Sequence, residues 1–222
     1  MQDKDAVPET PESKSREQKA LARLERLRVH VALPLLILVM LTLTSASRKS
    51  ATYDEPAILT ASIHYVRSFD PALNAENPPL LKALWALPTL LIPRVEDPDP
   101  PPSLRYSYDL ADLTQFSRQY LFRHPDHGAI LFAARCMNIL LAAMLGVAVY
   151  GAACRTWDRR TGLAALWIYA LSPNLIAHAR LVTPDLGCAG LVFVSTATLA
   201  ATIRRSTPTR IVVAGLALGP RC

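Results

Sequence analysis

The sequence predicts an all-α polytopic membrane protein, and three observations carry that expectation. Charge is scarce: 19% of the 222 residues are Asp, Glu, Lys or Arg, where an ordinary soluble domain has about 25%. The charge is also clustered, so that the 18 residues from Leu186 to Ile203 carry none. Basic residues gather in the short connections, a pattern that sets orientation in a bilayer. Four complete transmembrane helices are expected, then a truncated fifth, with a large extracytoplasmic first loop carrying interfacial helices.

Residues 1–28 are polar and mixed in sign, and read as a cytoplasmic N-terminal arm. The first dozen are expected to be disordered. Leu21, Leu24 and Leu27 have the spacing of a short basic helix lying at a membrane surface. Residues 29–47 are the first span: 19 residues without formal charge cover about 30 Å of hydrocarbon. A secretory signal peptide is the rival reading, because Thr44-Ser45-Ala46 resembles a cleavage site. The preceding charged stretch is too long and too mixed in sign for a signal.

Residues 48–128 form the outer loop. Between 48 and 127 there are eight Lys/Arg and ten Asp/Glu, so this segment is slightly acidic. Within it, Pro56 to Arg67 reads as an amphipathic helix, with Ile58, Leu59, Ile63 and Val66 on one arc and Thr60, His64 and Arg67 opposite. Leu80 to Ile92 is apolar but too short to span, and reads as interfacial or re-entrant. The run Asp97-Pro98-Asp99-Pro100-Pro101-Pro102 is a stiff extended loop.

Residues 129–154 are the second span, with Arg135 as its one charge, and 155–160 a basic cytoplasmic turn. Residues 161–178 are the third span, 179–185 an outer turn, 186–203 the fourth span and 204–210 a second basic cytoplasmic turn. Residues 211–222 begin a fifth span, whose apolar run stops at Leu218. A span needs about 20 residues, so the sequence reads as a truncated or frameshifted product. The net charge of +6 is thus a topology signal, and no nucleic-acid partner is expected. The four cysteines form no C-x-x-C pattern and no disulfide framework.

Three outer clusters are candidates for chemistry. Asp54 and Glu55, within Tyr53-Asp54-Glu55-Pro56, are adjacent carboxylates just outside the first span. Such a pair serves as general base, metal ligand or sugar-hydroxyl partner, and it equally serves as helix cap and first-turn acid. In Glu76-Asn77-Pro78-Pro79-Leu80-Leu81-Lys82 the Pro-Pro pair makes a rigid turn that either aims Glu76 and Asn77 at a ligand or merely starts a helix. In the stretch from His178 to Asp185, Arg180 offers a bidentate fork for a phosphate, or snorkels to head groups. Asp185 faces the same cavity as Asp54 or caps the fourth span. Arg135, a few residues inside the second span, costs about 2.5–3.5 kcal/mol on insertion scales. An interior partner, a cavity or snorkelling must offset that cost.

Together these clusters resemble the N-terminal part of the GT-C glycosyltransferases, the family of protein O-mannosyltransferases and aminoarabinose transferases. The resemblance rests on four motifs in order: Asp54-Glu55, then Asn77-Pro78-Pro79-Leu80-Leu81-Lys82, then Arg135-Cys136-Met137-Asn138, then Ser172-Pro173 with Arg180-Leu181 and Asp185. It covers roughly residues 25–219. Asn77 stands where the family usually has His or Lys. Glu76 matches a family acid that helps hold a divalent metal.

The resemblance implies inverting transfer of a sugar from a polyprenyl-phosphate carrier, drawn from the membrane lipid, to an acceptor protein or glycolipid outside. Asp54 would be the base, with Glu55 and Asp185 positioning the acceptor or a metal ion. Arg135 and Arg180, with Asn77 and Lys82, would face the donor phosphate. It also implies an integral protein of the bacterial inner membrane, with the N-terminus cytoplasmic and the first loop periplasmic. A different class, a non-catalytic transporter fragment or assembly subunit, or an inert truncated product, is the alternative.

Overall fold

The computed structural model of the protein describes residues 11–106, 109–204, 207–209, 211, 212 and 215. Among the described residues there is no strand. The helices are α1 (Pro11–Arg48), α2 (Glu55–Ser68), α3 (Pro79–Ala86), α4 (Leu110–Arg123), α5 (His127–Thr156), α6 (Arg159–Ala170), α7 (Pro173–Ala179) and α8 (Pro184–Arg204). Prolines stand in the first turn of α2, α3 and α7, where the missing N–H has no intrahelical partner to lose. Aspartates mark two other starts. Asp109 accepts from the backbone N–H of Ala111 and Asp112, and Asp158 from that of Thr161.

Three helices are long and apolar enough to cross a membrane: Val29–Arg48 within α1, His127–Thr156, and Pro184–Ile203. The expected third span, 161–178, is not one helix. It is broken at Leu171-Ser172 into α6 and α7. Pro173 has no N–H to bond the Tyr169 carbonyl, which takes the Ser172 N–H instead at 3.2 Å. The 12 residues of α6 rise only about 18 Å. The arm before the first span is likewise no separate surface helix, since α1 runs unbroken from Pro11 for 38 residues. Residues 1–10 and most of 211–222, where the start of a fifth span is expected, lie outside the described residues.

The apolar helices pack through one cluster in which Leu38 of α1 meets Ala142 and Leu145 of α5 and Leu166 and Tyr169 of α6. The Tyr169 hydroxyl donates to the Ala142 carbonyl at 2.8 Å. Helices α5 and α6 close on each other at Gly162. A Cβ there would overlap Cys154 Sγ and lie 3.2 Å from the Tyr150 carbonyl oxygen. Gly162→Ala should therefore cost about 1–3 kcal/mol. It should read out as a lower thermal midpoint in detergent, while Gly128→Ala, with open space around it, leaves the midpoint unchanged.

The outer insert has its own core. Ile58, Leu59 and Ile63 of α2 pack on Leu81 and Trp85 of α3, Leu121 of α4 and Ile130, Leu131 and Ala134 of α5. Ala57 and Ala61 pack on Leu73, Leu104 and Leu113 on the other side. The expectation that α2 lies in the membrane interface is thus corrected. Every residue from Glu55 to His64 is buried, including Thr60 and His64 on the arc assigned to water. The segment Pro79–Leu91 keeps an apolar edge in the open, with Leu80, Leu87 and Leu91 exposed, as an interfacial element requires.

Candidate functional site

Where the insert after the first long helix meets α1 and α5 lies a buried ion pair. Arg135 Nε donates to Glu55 Oε1 at 2.9 Å and Nη2 to Oε2 at 2.6 Å, a bidentate fork. Both side chains are essentially inaccessible to solvent. Arg135 Nη1 also donates to the carbonyls of Ala46 and Lys49, and Nη2 to that of Ser50. All five guanidinium N–H are thereby satisfied, three of them by the end of α1 and the turn after it. Glu55 accepts in addition from the Thr52 N–H and hydroxyl and from the Val182 N–H.

Burial by itself raises the Glu55 pKa. The bonds from Arg135, Thr52 and Val182 and the guanidinium charge outweigh it and hold the carboxyl below its ordinary value. Glu55 is therefore a fixed anion with its lone pairs occupied, and Arg135 has no donor left for a phosphate. The insertion cost of Arg135 is met by an interior partner, the first of the three ways the sequence left open. The hydrogen-bonding groups of the pair are thus used within the fold, where they fix the segments around it.

What the pair positions is Asp54. This residue is exposed at the start of α2, and its carboxylate makes no side-chain cap bond. Its backbone carbonyl is in the helix, accepting from the Ile58 N–H at 3.1 Å. The carboxylate is thus free on a rigid backbone. Across the Glu55–Val182 bond lies the turn between α7 and α8, pinned a second time by Asn138. The Asn138 amide donates to the carbonyls of His178 and Leu181, while its oxygen accepts from Trp85 Nε1. On this turn Arg180 is half-buried and forms no ion pair or hydrogen bond among the described residues. Next to Val182, the Thr183 hydroxyl is buried with no partner among the described residues. Asp185 is exposed and pairs with His178 Nδ1 at 3.1 Å.

The second cluster is held apart from this junction. The Asn77 amide donates to Asn74 Oδ1 at 2.6 Å and is buried, so it serves the turn. Lys82 is almost wholly buried and donates to the carbonyls of Leu73 at 2.9 Å and Pro71 at 3.3 Å. Glu76 is exposed. Among the described residues no group of three or more His, Cys, Asp or Glu is arranged to hold a metal ion. The donor set around Glu76 does not fit a divalent metal, and no step is derived through one.

Burial depresses the Lys82 pKa to about 8 from 10.5, with Asp70 opposing the shift. The unfolded chain then binds more protons than the folded one between pH 8 and 10.5. Stability should rise as pH rises through that window, by on the order of 3 kcal/mol at most, and should carry the full cost below it. Unfolding followed by tryptophan fluorescence at about pH 7 and about pH 10 checks this. Lys82→Met should flatten the slope.

Sequence reasoning missed Asn138 as a joint, naming it only within a motif, and missed a second network altogether. His64 is buried, with Nδ1 2.6 Å from Asp97 Oδ1 and Nε2 3.7 Å from Asp70 Oδ2. Asp70 pairs in turn with Arg105. The Ala72 N–H, more than Arg105, holds the Asp70 carboxyl below its usual range against a smaller effect of burial. The His64–Asp97 and Asp70–Arg105 contacts each join residues more than thirty apart in the chain, and no local pattern links them. The network straps the loop after residue 94 to α2.

No family model, no curated protein and no solved structure matches this chain. The fold and site define a class by architecture. It is an all-helical chain, among the described residues, with three helices able to cross a membrane and a folded helical insert after the first of them.

Proposed function

We propose that the protein is a membrane glycosyltransferase that moves a sugar from a polyprenyl-phosphate carrier to a protein or glycolipid acceptor on the extracytoplasmic side. The observation that carries this reading is Asp54, an uncapped, exposed carboxylate on a backbone fixed by the Glu55–Arg135 pair. In a single inverting displacement the acceptor oxygen bonds the anomeric carbon and its proton passes to Asp54. The bond from that carbon to the carrier phosphate breaks, and the electron pair leaves with the phosphate. Such base assistance contributes about 10²–10⁴ in rate. Arg180, half-buried and unpaired among the described residues, is the cation this reading assigns to the leaving phosphate, acting by preorganised charge. Arg135, Asn77 and Lys82 are assigned to positioning. In this reading the protein is integral to a bacterial inner membrane, with the arm before Val29 inside and the insert in the periplasm.

The test is transfer from a panel of polyprenyl-phosphate sugars by purified protein in liposomes. Asp54→Asn should insert and fold as wild type and lose transfer. Transfer near the wild-type rate removes Asp54 from the role of base. A non-catalytic assembly subunit is the second reading. It is favoured by the internal satisfaction of Glu55, Arg135 and Lys82, and it is the outcome if no sugar in the panel is transferred by wild type.

A further inference from the structure

A cavity of about 460 Å³ opens where the end of α1, the start of α5 and the middle of α4 meet. That volume lies in the range of small-molecule sites, roughly 300–1,000 Å³. None of Asp54, Arg180 or Asp185 lines it, so it is separate from the junction proposed for catalysis. Its lining carries Lys49, Arg118, His127 and Arg135 and no carboxylate. Arg135 is neutralised by Glu55 at the floor. Lys49 and Arg118 are exposed at the rim and have no acidic partner among the described residues. Arg118 lies over the Phe122 ring at 5.8 Å, and His127 packs edge-on against the same ring at 5.5 Å. One wall is therefore an aromatic face with a guanidinium and an imidazole held against it.

The position decides the kind of ligand. Ala46 and Ser47 close the first apolar helix, and Gly128, Leu131 and Phe132 open the second. The cavity sits where both helices would leave hydrocarbon for water, the depth of lipid head groups. Its cations face the rim, while Phe122 and Phe132 are partly exposed beside them. Gly128, in the first turn of α5, lines the cavity, and the N-cap Asp126 makes no side-chain cap bond there. That feature adds to the cationic rim and does not stand alone.

We propose that this pocket binds the phosphate of a membrane lipid, with Lys49 and Arg118 on the phosphate oxygens and Phe122, Leu131 and Phe132 against the first methylenes of its chains. The ligand chemistry is a phosphate anion carrying an apolar tail. A free phosphate is the other source, and the experiment separates the two.

The full chain is placed in bilayers of equal phosphatidylglycerol and phosphatidylcholine, and the lipids kept on release are measured by native mass spectrometry. Wild type should retain phosphatidylglycerol over phosphatidylcholine. Lys49→Gln with Arg118→Gln should lower that preference by about tenfold or more, because each basic group at a membrane surface contributes several-fold in affinity. Both residues are exposed, so the double variant should keep its thermal midpoint. Arg155→Gln with Arg160→Gln, at the far end of α5 and the start of α6, should leave the preference unchanged. Phe132→Ala should weaken lipid retention as well. Retention of the preference by the Lys49/Arg118 variant overturns the proposal, as does an equal loss in the Arg155/Arg160 control. Displacement of the lipid by millimolar inorganic phosphate also overturns it and makes the pocket a free-phosphate site.

Discussion

Arg135→Met is expected to destabilise the protein by about 3–5 kcal/mol, the cost of stranding a buried charge whose partner has been removed. For a chain of this size that corresponds to a fall of roughly 10 °C in the thermal midpoint. The substitution leaves Glu55 ionised in a site closed to solvent and strips the donors from the carbonyls of Ala46, Lys49 and Ser50. Glu55→Gln should be nearly as harmful. Its amide would turn N–H groups toward a donor on Arg135 whichever way it is flipped, together with the Val182 N–H in one orientation and Thr52 in the other. The double change of Glu55 and Arg135 to Met should cost much less than the sum, because no charge is then left alone. The check is a double-mutant cycle on detergent-solubilised protein. Additive single and double changes would mean that the pair is not coupled.

Asp54→Asn should do the opposite: no loss of stability and a loss of about 10²–10⁴ in the proposed sugar transfer. The side chains are nearly identical in shape. The carboxylate makes no cap bond, so the helix start does not depend on it. The contrast with its neighbour is the informative part. Glu55 and Asp54 are adjacent in sequence and equivalent in chemistry, but one is buried and fully bonded and the other is exposed and free. A variant at Glu55 that lost transfer would also lose its midpoint. One at Asp54 should lose transfer alone.

That contrast marks the limit of what the residues reveal in order. Apolar length located the three long helices to within a few residues, because a run of 18 or more uncharged residues has few alternatives. It failed at 161–178, where mean apolarity is high but Pro173 ends the hydrogen-bond ladder. It also missed α4. The buried stripe of that helix is Leu113, Thr114, Ser117 and Leu121, half of it polar, so the apolar period is invisible. Thr60 of α2 makes the matching contact, donating from its hydroxyl to the Ser117 carbonyl at 3.4 Å. The same polar fit explains why α2 looked amphipathic and yet is buried on every side from Glu55 to His64. The candidate carboxylates were legible as a pair. Their division of labour was not, since it depends on Arg135 and Val182, which are 80 and 127 residues further along.

Those separations also set a schedule for synthesis. At about 5–20 residues per second, Glu55 leaves the ribosome several seconds before Arg135 does, and on the order of ten seconds before Val182. Until then the end of α1 has no guanidinium to satisfy its carbonyls, and the Glu55 carboxylate must stay hydrated. The insert between the first two long helices can therefore lock into place only after α5 and the turn before α8 have been made. Its latch becomes a read-out of how much of the chain is complete, and a chain halted before residue 182 would present an open, unlatched insert to proteases.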